Sequence, residues 1–378
     1  MLRLLPAFAL LTVLSIRPGF ADVPVPTPPD VDARAYIVVD FHTNRVLAAR
    51  EAVARMEPAS LTKLMTAYIV FQELAAGKLK LDEQVTVSER AWRSEGSRTF
   101  IELGKPVPVE KLILGMIVQS GNDATIALAE RVAGTEETFV QLMNTNAQRL
   151  GMTGTHFENS SGLPSPQHYT TARDMSLLAI AMIRDFPQYY RWYSVREFEY
   201  NGIKQQNRNG LLEKDPTVDG LKTGHTDSAG FCLVSSSLRD GMRLVSVVLG
   251  SSSMHARENA SAALLGYGFT FYDTRLVAKA GARLATTTVW KADNASLDVG
   301  LAHDLYVTIP RSASADLKSA VDVQQRLIAP LSADANVGQL RVFAGGQTIA
   351  AVPVHPLRAV GAGGWWRRLV DTIRLWFG

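Results

Sequence analysis

The sequence predicts an α+β fold: one sheet takes its strands from distant segments around a helical insertion, and a small all-β domain follows. Strand-like runs occupy 35–40, 45–49 and then 218–249, whereas the stretch between them repeats apolar residues at helical spacing. From about Leu276 short strand-like runs separated by turns replace both patterns. With 378 residues the chain exceeds one small core, and 47% hydrophobic with 20% charged residues describes a folded chain. A formal net charge of +3 is too nearly balanced to suggest a nucleic-acid partner.

Residues 1–21 read as a secretory signal. Arg3 supplies the positive end, 4–16 is mostly apolar, and Gly19 and Ala21 are small residues suited to cleavage before Asp22. The apolar stretch is short and broken by Pro6, which disfavours a membrane span, although an uncleaved anchor is the alternative. Residues 23–30 form a proline-rich spacer. The runs at 35–40 and 45–49 make a hairpin around His42-Thr43-Asn44.

Pro58 ahead of Leu61, Leu64, Met65 and Tyr68 predicts a buried helix with Ser60 in or beside its first turn, running to about Leu74 and stopped by Gly77. Further helices are expected over 109–118, over 123–132 with Gly134 beyond it, and from the N-cap Thr135 to Leu150. A polar loop over 153–169 leads into a helix over 171–184. Strands over 218–225, 229–235 and 243–249 follow, the last two joined by an Asp240-Gly241 turn, and then a helix over 255–272. The single cysteine, Cys232, allows no intramolecular disulfide and sits in an apolar run where a buried, inert thiol is expected.

In the last part, 284–290, 304–309 and 340–343 read as strands of the all-β domain. Residues 362–378 form an amphipathic helix. Trp365, Trp366, Leu369, Val370, Ile373, Trp376 and Phe377 fall within an arc of roughly 140° at about 100° per residue, opposite Arg367, Arg368, Asp371, Thr372 and Arg374. Tryptophans flanked by arginines suit a membrane interface; the other reading is a helix docked on its own protein or on a second copy.

Three short motifs carry chemistry. Ser60 and Lys63 stand three residues apart on a helix, so the amine can reach the hydroxyl as a base reaches a nucleophile; an N-cap serine beside a solvated lysine is the plainer reading. Ser120-Gly121-Asn122 lies in a turn between helices, where it either caps the second helix or points a hydroxyl and a carboxamide into a cleft. Lys222-Thr223-Gly224 lies on a strand, where the glycine lets another backbone approach closely. The histidines are scattered and there is no cysteine cluster, so neither a metal nor another cofactor is expected.

In this order and on these elements, the motifs Ser60-Leu61-Thr62-Lys63, Ser120-Gly121-Asn122-Asp123-Ala124 and Asp219-Gly220-Leu221-Lys222-Thr223-Gly224-His225-Thr226 resemble the serine penicillin-recognising enzymes. The nearer resemblance is to the low-molecular-mass penicillin-binding proteins, serine-type D-alanyl-D-alanine carboxypeptidases of peptidase S11 type. It covers nearly the whole chain. It implies a β-lactamase/penicillin-binding transpeptidase-like domain over 30–275, a small β-rich domain over 276–357 and a membrane-associating helix over 362–378.

The resemblance further implies that Ser60 attacks the carbonyl between two terminal D-alanines of a peptidoglycan pentapeptide. Lys63 would act as base, Ser120 would pass a proton to the leaving amine, and Asn122 would hold the substrate amide. Lys63 serves only if neutral, which burial and a second cation, Lys222, would favour. Backbone N–H groups of Ser60 and His225 would form the oxyanion hole, the substrate would lie along Lys222–Gly224, and Thr223, Arg257 and Arg208 would meet its free carboxylate. The 159–163 loop is given no role. Expected partners are the pentapeptide, β-lactam antibiotics and the membrane surface, at the periplasmic face of a bacterial inner membrane. A β-lactamase and a non-catalytic wall-binding scaffold are the alternatives.

Overall fold

The computed structural model describes residues 25–377; the signal expected over 1–21 lies outside them. The chain forms two compact units. The larger comprises Pro26–Arg275 with Tyr306–Arg311, and the smaller comprises Leu276–Leu305 with the chain from Ser312 onward.

In the larger unit, β1 (Ala35–Asp40) and β2 (Val46–Arg50) form the expected hairpin. They join β3 (Val218–Thr226), β4 (Gly230–Arg239) and β5 (Met242–Ser251) in an antiparallel sheet ordered β2-β1-β5-β4-β3. The alternating pattern divides the strands between two layers. Ile37, Val39, Val245, Val247 and Leu249 join the core made by α1 (Lys63–Ala75), α2 (Asn122–Ala133), α3 (Glu136–Arg149) and α4 (Ala172–Asp185). Val38 and Leu244, on the other face, meet α5 (Met254–Phe271) at Gly268.

Helix α1 is buried from Lys63 to Phe71 without an exposed face, the mark of a central helix. The capping expectation holds at Thr135, whose Oγ1 accepts from Thr138 N, and Thr171 caps α4 in the same way through Asp174 N. Two expected helices are modified. Ser60 sits in a 3₁₀ turn, Ala59–Thr62, ahead of α1 rather than in its first α turn. The helix expected over 109–118 is α-helical only over Val109–Leu114, then widens into a π turn, Gly115–Gln119.

The smaller unit carries a six-stranded sheet that includes the expected strands Ala285–Trp290 and Gly338–Ala344. The run expected as its strand over 304–309 forms as Leu305–Pro310, yet Tyr306–Arg311 packs with the larger unit. The reason is specific: Thr308 Oγ1 lies 2.6 Å from Thr43 Oγ1 and 2.9 Å from Thr274 Oγ1, Arg45 donates to its carbonyl at 2.5 Å, and Tyr306 stacks on His42 at 3.9 Å. Among the described residues no helix is long and apolar enough to cross a membrane.

Asp40 organises that junction. Fully buried, it accepts from His42 N, Thr43 N and Thr43 Oγ1 through one oxygen and from Thr274 Oγ1 through the other. Asp40→Ala leaves those donors unmatched and is expected to destabilise the protein by about 2–4 kcal/mol, read as a lower denaturation midpoint.

Candidate active site

The 3₁₀ turn that carries Ser60 is clamped from two sides. Ala59, ahead of it, has a left-handed φ of 47°. Behind the turn runs β3, whose Gly224 lies so close that a Cβ there would come within 3.0 Å of Pro58 O and 3.2 Å of Ser60 N. From the other side comes the 159–163 loop, with Gly162 at φ +87°; a Cβ there would fall 1.8 Å from the Ala59 carbonyl oxygen. Only glycine fits at Gly162, on both counts.

Lys63 is 1% exposed, and its Nζ lies 3.0 Å from Ser60 Oγ while donating to the Ser161 carbonyl at 2.6 Å. Burial, and next the positive charge of Arg208, push the amine down to about 7, with Asp123 acting in the opposite sense. Lys222 is equally buried, donates to the Thr223 carbonyl at 2.9 Å, and is held well below the usual lysine range by burial and then by Lys63. Repulsion between the two amines is mutual, and Arg208 adds to it at both.

Ser120 closes the π turn in a left-handed conformation, φ 66°. Its Oγ is buried without a hydrogen-bond partner, and so is Asn122 Oδ1, whereas Asn122 Nδ2 donates to the Glu95 carbonyl at 2.6 Å. Arg257 is 4% exposed; it donates to the Gly224 and Arg208 carbonyls at a long 3.3 Å, and its Nε has no partner. Arg208 donates from Nε to the Gln119 carbonyl at 2.9 Å. Unmatched buried polar atoms converging on one place mark a site that a ligand completes.

A cleft of about 350 Å³ brings Ser60, Ser120, Arg208, Thr223, Gly224, His225 and Arg257 together. Lys63 reaches it through Ser60, Lys222 through the Thr223 carbonyl, and Asn122 follows Ser120 at the start of α2. Seven of the ten residues singled out from sequence thus line one cavity, and the other three adjoin them.

Several contributors were missed. The 159–163 loop, given no role, supplies the carbonyl that fixes Lys63, and it is itself tied down. Asn159 Oδ1 accepts from the N–H groups of Ser161, Gly162 and Leu163, and Glu136 holds Ser160. Asp123 accepts from Thr99, Phe100 and Ile101 N–H and so fixes the facing loop. Phe231 and Met254 add an apolar wall. The Asn-x-x-Gly spacing of the 159–163 loop was the available signal, because it favours a tight side-chain-to-backbone turn. Cys232 is fully buried, and burial raises its thiol to about 11, so it takes no part.

The D-alanyl-D-alanine carboxypeptidase family profile matches residues 22–253, and the profile of the penicillin-binding protein 5 C-terminal domain matches 272–362. The chain is 41% identical over 366 residues to D-alanyl-D-alanine carboxypeptidase DacA of Escherichia coli (strain K12), covering 94% of this chain and 91% of that one. It is 40% identical over 390 residues to DacC of the same organism, covering 100% and 98%. Among solved structures, penicillin binding protein 5 from Haemophilus influenzae matches with a TM-score of 0.83 at 38% identity, covering 89% of this chain and 99% of that one. Penicillin-binding protein D2 from Listeria monocytogenes in its ampicillin-bound form matches with a TM-score of 0.60 at 30% identity, covering 65% and 100%.

A base acts only when deprotonated, so acylation of Ser60 is expected to rise with pH and level off above the Lys63 value of about 7. Below it the rate should fall roughly tenfold per pH unit. Arg208→Gln removes a cation that holds the amine down, which raises the Lys63 pKa and moves the rise to higher pH. Stopped-flow acylation rates across pH, wild type beside variant, check both statements.

Proposed function

The chain belongs to the D-alanyl-D-alanine carboxypeptidase family, and from that premise we propose how its residues share the reaction. It is a serine-type carboxypeptidase of the low-molecular-mass penicillin-binding class, and it releases the terminal D-alanine of peptidoglycan stem peptides through an acyl-enzyme. Ser60 Oγ attacks the carbonyl carbon between the two D-alanines as its proton passes to Lys63. The oxyanion is met by the N–H groups of Ser60 and His225. Collapse breaks the C–N bond, and the leaving amine takes a proton relayed through Ser120. Water then adds to the ester, its proton returns to Ser60 Oγ, and the shortened peptide departs.

One observation carries this reading: a buried, depressed lysine 3.0 Å from a serine hydroxyl, at a cleft whose Ser120 and Asn122 oxygens lack partners. Strand β3 supports the substrate pose, since among the described residues it is the sheet's edge and pairs only with β4. A peptide can add along it as a further strand, its amide held by Asn122 and its path kept close by Gly224. Its terminal carboxylate then meets Thr223 and Arg257, with Arg208 and Lys222 contributing positive charge. β-Lactams take the same place, Ser60 opening the ring amide. The relatives compared above carry carboxypeptidase or penicillin-binding names, which favours this reading over the β-lactamase and scaffold alternatives.

These relatives are bacterial cell-wall enzymes, which favours a periplasmic location, and the signal proposed over 1–21 would provide the export. The C-terminal helix, Trp365–Phe377, would then hold the enzyme at the membrane surface. Two features support that role. Its apolar side is open, with Trp365 74%, Trp376 81% and Phe377 87% exposed, and its polar side is tied to its own unit. Asp371, only 8% exposed, accepts from Lys291 N at 2.7 Å, and Arg367 donates to the Asp293 carbonyl at 3.2 Å.

Peptide mapping after labelling with fluorescent penicillin should place the adduct on Ser60. Ser60→Ala should lose at least roughly 10³-fold in D-alanine release from a defined pentapeptide. Undiminished release would sink the assignment. Removal of 362–378 is expected to abolish sedimentation with anionic vesicles while leaving penicillin labelling intact; vesicle binding equal to that of the full chain would refute the surface role.

A further inference from the structure

A second cavity, of about 530 Å³, lies on the larger unit among Arg34, Arg55, Glu57, Tyr169, Ser228 and neighbouring residues. It exceeds the catalytic cleft in volume, and two of its lining residues, Met56 and Glu57, directly precede the Pro58–Ser60 turn in the chain. The catalytic chemistry uses none of its side chains.

Strand β3 connects the two. From Thr223 and Arg257, where the substrate carboxylate is placed, the strand passes Ser60 at Gly224 and ends at Thr226. There Thr226 Oγ1 lies 3.5 Å and Ser228 Oγ 2.6 Å from Glu57 Oε2, on the wall of the second cavity. A donor peptide with its C-terminus at Thr223 therefore runs antiparallel to β3, and its amino-terminal part leaves at Thr226 toward this cavity.

The cavity lining sets two arginines against one carboxylate, Glu57. Arg55 makes no hydrogen bond or ion pair among the described residues; its guanidinium lies over the Tyr169 ring at 4.3 Å, which leaves its N–H edge available. Arg34 donates to the Ser228 and Ala229 carbonyls at 2.9 and 2.6 Å and has no carboxylate partner among the described residues. Of the other charged or titratable groups facing the cavity, the Glu57 carboxylate is engaged by Ser228, and His168 is buried, pushed down to about 4 and spent on Thr62 Oγ1 at 2.8 Å. Pro164, Pro166 and the Tyr169 ring provide apolar walls for a peptide stem.

We propose that this cavity is an acyl-side subsite in which Arg55, with Arg34, binds a free carboxylate of the donor peptide at least two residues before the scissile bond. The proposal rests on the catalytic reading above and deepens it: the enzyme selects an acidic stem peptide by charge upstream of the reacting carbonyl.

The test uses the full-length protein and two N-acetylated peptides ending in D-Ala-D-Ala. They differ only in whether the upstream side-chain carboxylate is free or a carboxamide. Wild type is expected to show kcat/KM about fivefold higher for the free acid, the scale of one exposed charge pair, with the preference shrinking in high salt. Arg55→Gln should erase the preference and Arg55→Lys should restore part of it, while acylation by benzylpenicillin in the same samples reports an intact nucleophile. Equal kcat/KM for both peptides in wild type, or a preference that survives in both Arg55→Gln and Arg34→Gln, overturns the subsite alone. Failure to release D-alanine from either peptide would overturn the catalytic reading as well.

Discussion

The site depends on one buried amine. Lys63 is shut away from water, and a charged ammonium there would cost several kcal/mol that its contacts with Ser60 and the Ser161 carbonyl do not fully return. The structure resolves this by depressing its pKa, and a base at neutral pH is the result. Much of the larger unit serves that placement. Helix α1 is central and wholly packed, so its first residue is held rigidly. The 159–163 loop brings the Ser161 carbonyl in, and Glu136 and Asn159 keep that loop from drifting.

Around the amine, the fold leaves polar atoms unfinished. Ser120 Oγ, Asn122 Oδ1 and Arg257 Nε are buried without partners, and Ser120 is held in a left-handed conformation. Such features cost stability and persist only where surrounding packing enforces them. Here Asp123 enforces it from α2 by gathering three backbone N–H groups of the facing loop, while Gly224 lets β3 press against the nucleophile's turn. On the proposed reading, the donor peptide supplies what is missing: an amide for Asn122, a carboxylate for the guanidinium and an edge for β3.

What was legible from sequence follows a physical line. Locally encoded features were readable: the β1–β2 hairpin, the Thr135 cap, the Asp240-Gly241 turn and the amphipathic C-terminal helix each announce themselves within a few residues. The ten residues gathered near the cleft were singled out because they fall in three short motifs and two arginine-bearing segments. Features set by long-range packing were not. Ser161 contributes a backbone carbonyl, so its side chain carries no signal. Arg208 influences Lys63 through space, which spacing along the chain does not reveal. The π turn before Ser120 looks like ordinary helix in its apolar pattern. Tyr306–Arg311 sits within the stretch of the smaller unit, yet Thr43, Arg45 and Thr274 claim it. The amphipathic helix showed its two faces, but not that Asp371 docks the polar one.

The concentration of positive charge has a thermodynamic side. Burial and neighbouring cations lower the proton affinity of both lysines, Arg208 acting on Lys63 and on Lys222, and Asp123 is the carboxylate set against Lys63. Positive charge is therefore gathered at the cleft against its own repulsion. An arriving carboxylate contributes its own contacts and also relieves that repulsion, so occupancy tightens the fold as well as filling the site.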